Sequence, residues 1–137
     1  MKTLKERQDE FVETLSDFEA WNEKFNYFIE LSDLLPAACP AELFPFRIAS
    51  CQSRTYFRAW IEDGWLRVNG WSNATTQRGI ILSMIEMFDR VPASELIPGN
   101  DIYFHEKSDL INNLTPLRQE GLKEMINRIL VLYRGKE

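Results

Sequence analysis

Residues 55–62, Thr-Tyr-Phe-Arg-Ala-Trp-Ile-Glu, alternate in character along their length, and Asp63-Gly64 separates them from a second β-prone run, Trp65–Gly70. An Asp-Gly pair between two such runs closes a tight hairpin, because both turn positions need a backbone conformation that aspartate and glycine tolerate. A two-residue turn also sets the register. Thr55, Phe57, Ala59 and Ile61 share the core side, where Ala59 faces Val68 and Ile61 faces Leu66. Trp60 meets Arg67 on the other side, within reach of a cation–π contact. Residues 46–50 are expected to add a short third strand.

The flanking sequence has the helical period instead. Leu4, Phe11, Leu15 and Phe18 form one stripe over about residues 3–18, and Trp21, Phe25, Phe28 and Leu31 form another over about 21–35, widened by Ile29 and Leu35. Pro36 stops that second helix, and Pro36, Pro40 and Pro45 make 36–46 a loop. After the hairpin, Ser72 or Asn73 is expected to cap a helix whose apolar face is Ile80, Ile81, Met84, Ile85 and Phe88. Gly79 lies inside it at a cost of about 1 kcal/mol relative to alanine, tolerable where another element packs closely. A turn of helix at 92–97 is broken by Pro98-Gly99-Asn100, a short helix follows around 106–113, and Thr115-Pro116 opens the last helix. Its stripe is Leu122, Met125, Ile126, Ile129 and Tyr133. This order predicts an α+β fold, a small antiparallel sheet built on a hairpin and packed against flanking helices.

The chain is one domain's worth, residues 1–137. That length buries roughly two thirds of the unfolded surface and needs no metal or disulfide to fold. Lys and Arg total 16 against 21 Asp and Glu, a net charge of −5 with a pI near 5.0. No basic run is present to neutralise phosphates, which argues against nucleic acid and anionic membranes as partners. Glu6, Asp9, Glu10, Glu13, Asp17 and Glu19 read as a solvated helix face. No window reaches the roughly eighteen apolar residues of a membrane span. The charged first ten residues do not fit a signal peptide, so a cytoplasmic location is the expectation. There is no glycine-rich phosphate loop, no cofactor motif and no metal-ligand spacing, since the two cysteines, Cys39 and Cys51, stand far from the one histidine, His105.

Cys51 lies in Ile48-Ala-Ser-Cys-Gln-Ser-Arg54, between a proline-bearing loop and the hairpin, a position that presents a reactive group on a rigid frame. Arg47 and Arg54 are near enough in sequence to favour a thiolate, while a free cysteine in a small protein is more commonly buried and inert. Arg118 extends the apolar stripe of the last helix, where a guanidinium needs an acceptor. It could hold the Cys51 loop through backbone carbonyls, help receive a partner, or lie along the surface.

Four segments in register decide between these readings. Trp21-Asn-Glu-Lys-Phe-Asn-Tyr-Phe-Ile-Glu-Leu31 with Leu35-Pro36, the centre Cys51-Gln52-Ser53, Gly70-Trp-Ser72-Asn73-Ala74 with Gly79, and Leu114-Thr-Pro-Leu-Arg118-Gln-Glu-Gly121-Leu122 with Met125-Ile126 resemble, in order and spacing, the SufE family and the related CsdE proteins. The likeness runs over about residues 18–130. It implies a SufE/NifU-like fold and a persulfide relay: a pyridoxal-phosphate-dependent cysteine desulfurase (SufS/CsdA-like) hands sulfur to Cys51, is stimulated in doing so, and the sulfur passes to a downstream Fe–S scaffold. Such a protein carries no cofactor of its own and has no stand-alone turnover, and a monomer is the expectation. The resemblance gives supporting roles to Gln52, Ser53, Arg54, Ser72, Asn73, Gly79 and Arg118, and Gly79 and Gly121 are expected to allow close packing beneath the sulfur loop. That loop is expected to tuck Cys51 inward and swing out on docking.

The chain departs from the family pattern at Ser50, where the family has glycine, at Tyr56 for tryptophan, at Trp71 and Asn73 for two aspartates, and at Phe46-Arg-Ile48 for N-x-V. The serine would cost about 1 kcal/mol if the backbone there were left-handed. These departures keep open a second reading, a non-catalytic docking or regulatory module of a desulfurase or scaffold with a degenerate transfer loop. A third, an autonomous thiol enzyme, lacks a clear base. Cys39 has no counterpart in the motif. It is expected to be a loop or core residue. A Cys39–Cys51 bridge, worth about 3 kcal/mol in the chain-entropy model, would silence Cys51.

Overall fold

The computed structural model describes residues 1–134. Helix α1 (Leu4–Ser16) starts at a reciprocal cap, with the Thr3 hydroxyl accepting the Glu6 N–H and the Glu6 carboxylate accepting the Thr3 N–H. Helix α2 (Trp21–Leu31) ends earlier than the periodicity suggests. The residue before a proline is held extended, so Leu35 leaves the helix at ψ 152°. The intervening Ser32–Leu34 tightens into a single 3₁₀ turn.

Strands β1 (Thr55–Glu62) and β2 (Trp65–Ser72) pair as the turn chemistry requires, with Ala59 opposite Val68, Trp60 opposite Arg67 and Ile61 opposite Leu66. Asp63 and Gly64 have φ of 53° and 82°, both left-handed. The third strand is not 46–50. It is β3 (Val91–Pro92), which follows α3 (Thr75–Phe88) and pairs with β2 to give the order β1-β2-β3. Arg90, at φ 66°, makes the sharp exit from α3 that lays Val91 beside Leu66. Residues 46–50 contribute only an isolated bridge from Arg47 to Tyr56, because a 3₁₀ segment (Ala41–Phe46) containing Pro45 steers the chain off the edge of the sheet.

One sheet face, carrying Thr55 and Phe57, is sealed under the helices. Ile61 is on that face but remains 42% exposed, because the hairpin tip runs past the helices. On the other face, Tyr56 and Trp71 bury against Leu43 of the 3₁₀ segment. This second cluster accounts for aromatic residues at positions 56 and 71.

Two capping expectations change. The N-cap position of α3 is Ala74. Ser72 instead accepts the Ala74 N–H at 3.2 Å, and Asn73 accepts the N–H of Arg54 at 3.0 Å. The stretch 106–113 divides into α4 (Phe104–Lys107) and a 3₁₀ turn (Ile111–Asn113), broken by Asp109 at φ 64°. The last helix, α5 (Pro116–Leu130), starts on its proline and buries Leu122, Met125, Ile126 and Ile129. No helix among the described residues is long and apolar enough to cross a membrane.

Candidate functional site

The loop leading into β1 is fastened at both ends. At its start, the Arg128 guanidinium on α5 donates to the carbonyls of Phe46 (2.7 Å), Arg47 (2.8 Å) and Phe57, and to Glu124 (2.9 Å). At its end, Asn73 holds the Arg54 N–H, and the Ile48 N–H donates to the Thr55 carbonyl at 2.8 Å. Between these points its ties are Ser50 Oγ to Glu124 at 3.0 Å, the Cys51 N–H to the Ile48 carbonyl at 3.3 Å, Ser53 to the Thr55 hydroxyl at 3.0 Å and a long contact from Gln77 to the Cys51 sulfur. The expected arginine clamp therefore exists, but Arg128 provides it rather than Arg118, which is exposed at the rim. Their positions along α5 separate a guanidinium that reaches the loop carbonyls from one that does not. Arg128→Met, which keeps the aliphatic stem and removes the donors, should cost about 2–3 kcal/mol. A drop in the urea midpoint without a change in slope is the expected result; an unchanged midpoint would contradict the clamp.

Ser50 is not under backbone strain. Among the described residues, the non-glycine positions with positive φ are Asp63, Arg90 and Asp109. The serine at the family's glycine position therefore carries no left-handed cost, and its hydroxyl makes the tie to α5.

Cys51 turns its sulfur inward, and the residue is 9% exposed. The sulfur rests where a side chain at Gly121 would otherwise lie: a Cβ built there would sit 2.5 Å from Sγ. Burial pushes the thiol's pKa up from its ordinary 9.0, with nearby Glu124 adding to the rise, while a hydrogen bond from Thr55 and the charge of Arg118 pull it down. The Thr55 hydroxyl belongs to a chain in which Ser53 lies at 3.0 Å and Ser72 at 2.9 Å. If Ser53 and Ser72 both donate to the Thr55 oxygen, its own proton is left free for the sulfur. Gln77 on α3 points its Nε2 at Sγ from 4.0 Å. Cys51 also lines a cavity of about 480 Å³, bounded by Gln52, Ser53, Gln77 and residues 115–118 at the start of α5.

The structure thus brings Cys51, Gln52, Ser53 and Arg118 to one cavity, with Ser72 beneath it and Asn73 as a tether. Arg54 contributes its backbone here, while its guanidinium lies 5.4 Å from the Trp71 ring. Gly79 is elsewhere: it lets α3 meet the backbone of α2 at Phe28, and Gly121 alone of the two packs under the sulfur. Thr55, Gln77, Glu124 and Arg128 join the site without a motif to mark them in the sequence. Gln77 carried a usable signal, because it falls on the same helical stripe as Ile80, Ile81 and Met84. Cys39 packs against the Tyr56–Trp71 cluster, on the opposite side of the hairpin base from Cys51. Both thiols are free, and a bridge between them would need the loop to move. No group of three or more His, Cys, Asp or Glu among the described residues is placed to hold a metal.

A family model described as SufE, an Fe-S metabolism associated domain, matches residues 9–132. The chain belongs to the SufE family. Its association with iron–sulfur metabolism follows from that membership. The SufE-family chain is also similar to the solution structure of a hypothetical protein from Thermus thermophilus, with a TM-score of 0.69 and 20% identity over 93% of each chain. At that identity the likeness speaks for the α+β fold.

Proposed function

We propose that the chain is a sulfur carrier that takes persulfide sulfur from a pyridoxal-phosphate-dependent cysteine desulfurase onto Cys51, stimulates that enzyme, and passes the sulfur to an Fe–S scaffold. The observation that carries this reading is the placement of Cys51, its sulfur seated over Gly121 while the residue lines a cavity of about 480 Å³, ample for an added sulfur atom. In the transfer, the Cys51 thiol gives up its proton and its sulfur attacks the terminal sulfur of the desulfurase's cysteine persulfide. A new S–S bond forms at Cys51, the old one breaks, and the desulfurase cysteine leaves as a thiolate that takes up a proton. The exchange is redox neutral. Attack requires the thiolate, so the inward, uncharged thiol is the resting form. Residues 49–53 lie between two firm anchors, the buried Ile48 and the tethered Arg54, and are the segment free to carry Cys51 outward. Arg118 at the rim and the nearby exposed Arg54 then face the partner.

The test incubates the protein with a cysteine desulfurase and free cysteine and weighs the intact chain. Gain of one sulfur on wild type, lost in Cys51→Ser while binding persists, is the expected result. Binding and stimulation with no sulfur on the chain would replace the carrier with a docking regulator.

A further inference from the structure

Gln77 is 3% exposed and sits on the core face of α3, where Ile80, Ile81 and Met84 are also buried. A carboxamide there is costly, because its donors and acceptor leave water and need partners. The only side-chain hydrogen bond it makes among the described residues runs from Nε2 to the sulfur of Cys51, at 4.0 Å. The same side chain lines the cavity beside that sulfur. Leucine or methionine would fill the position with no polar group to accommodate, so packing does not explain a glutamine.

We propose that Gln77 is an anion-stabilising residue of the site, whose N–H donates to the Cys51 sulfur when it is ionised and to the persulfide it becomes. This rests on the carrier reading above. The charged groups facing the sulfur are Glu124 and Arg118, both on α5, and they oppose each other. From β1 comes the Thr55 hydroxyl, and from α3 comes Gln77. An anion draws an N–H closer than a thiol does, so the long contact in the resting form shortens as charge develops. Gln77 thus offers the sulfur a donor from α3, in a setting that otherwise disfavours charge.

The experiment follows iodoacetamide alkylation of Cys51 by intact mass, in a Cys39→Ser background, from about pH 6 to pH 10. It compares Gln77 with Gln77→Met, which keeps the length and loses the donor, and with Gln77→Glu, which places a carboxylate at the sulfur. The expected result is a midpoint moved to higher pH in both. Near pH 8 the rate should fall about three- to tenfold for methionine and more than tenfold for glutamate. Unchanged midpoints, or rates raised by one factor at every pH, would overturn the proposal, since a packing role loosens the loop without altering the ionisation. The readout uses no desulfurase. If the midpoints move but no sulfur is gained from a desulfurase, the carrier reading fails and Gln77 stands. If sulfur is gained and the midpoints stay, only the role of Gln77 fails.

Discussion

Replacing Gly121 by alanine should eject Cys51 from its socket and raise its alkylation rate at neutral pH by at least about tenfold. The added Cβ would lie 2.5 Å from Sγ, closer than any real contact, so one side must move. Helix α5 is the stiffer side. Alanine favours the helix over glycine by about 1 kcal/mol, and Leu122, Met125, Ile126 and Ile129 anchor it in the core. The loop, which has no regular secondary structure and is held between its anchors mainly by side-chain ties, gives way. Removing the burial also removes the largest cause of the raised thiol pKa, so the alkylation midpoint should fall toward the ordinary thiol range.

The stability consequence has a definite sign. A thiol whose folded pKa is raised binds its proton more tightly in the native state. Its contribution to stability is present below the unfolded thiol's pKa and is lost as pH rises through the folded value. Wild type should therefore lose stability as pH climbs past about 9, and Gly121→Ala should lose less. Urea midpoints on either side of that pH measure the difference. A folded Gly121→Ala protein with wild-type alkylation kinetics would show that glycine is not what seats the thiol.

Gly79→Ala should have the largest effect on the fold. Helix propensity alone predicts a gain of about 1 kcal/mol. The geometry predicts the opposite, because the new methyl group would overlap the backbone carbonyl of Phe28 on α2. Backbone cannot swing aside as a side chain can. Helices α2 and α3 would have to part, opening the packing around Phe28, which is fully buried. A net loss of about 3 kcal/mol or more is expected, at the upper end of overpacking costs. Equilibrium urea unfolding distinguishes the two signs directly, and an equal or higher midpoint would mean that the two helices can yield.

Much of the frame was legible because it rests on short-range rules. The alternation of residues 55–62 and the Asp63-Gly64 turn carried the first strand's limits and the register together, since a two-residue loop permits one pairing, while the second strand runs two residues past Gly70 to pair with Tyr56 and Thr55. The proline at residue 116 marked the start of α5. Where the reading slipped, an unseen neighbour was responsible. β3 has only two residues, too few for any period, and exists because the left-handed Arg90 returns the chain beside β2. Ser72 and Asn73 have the chemistry of caps but are spent on the Ala74 and Arg54 N–H groups. Tyr56 and Trp71 made sense as buried residues only with Leu43 laid over them.

The site divides in the same way. Local sequence marked the Cys51 loop and, with the spacing of four segments, the family. It named Gly121 and Gly79 together as packing beneath the sulfur loop without choosing between them, and it could not say that the guanidinium clamping the loop is Arg128 or that Gln77 faces the sulfur. Those contacts join residues far apart in the chain, and each depends on how α3 and α5 are rotated about their axes when they dock on the sheet. Periodicity names the face of a helix that is buried. Only the packed structure selects which atom on that face meets which partner, because a shift of one residue moves a side chain by about 100° around the axis.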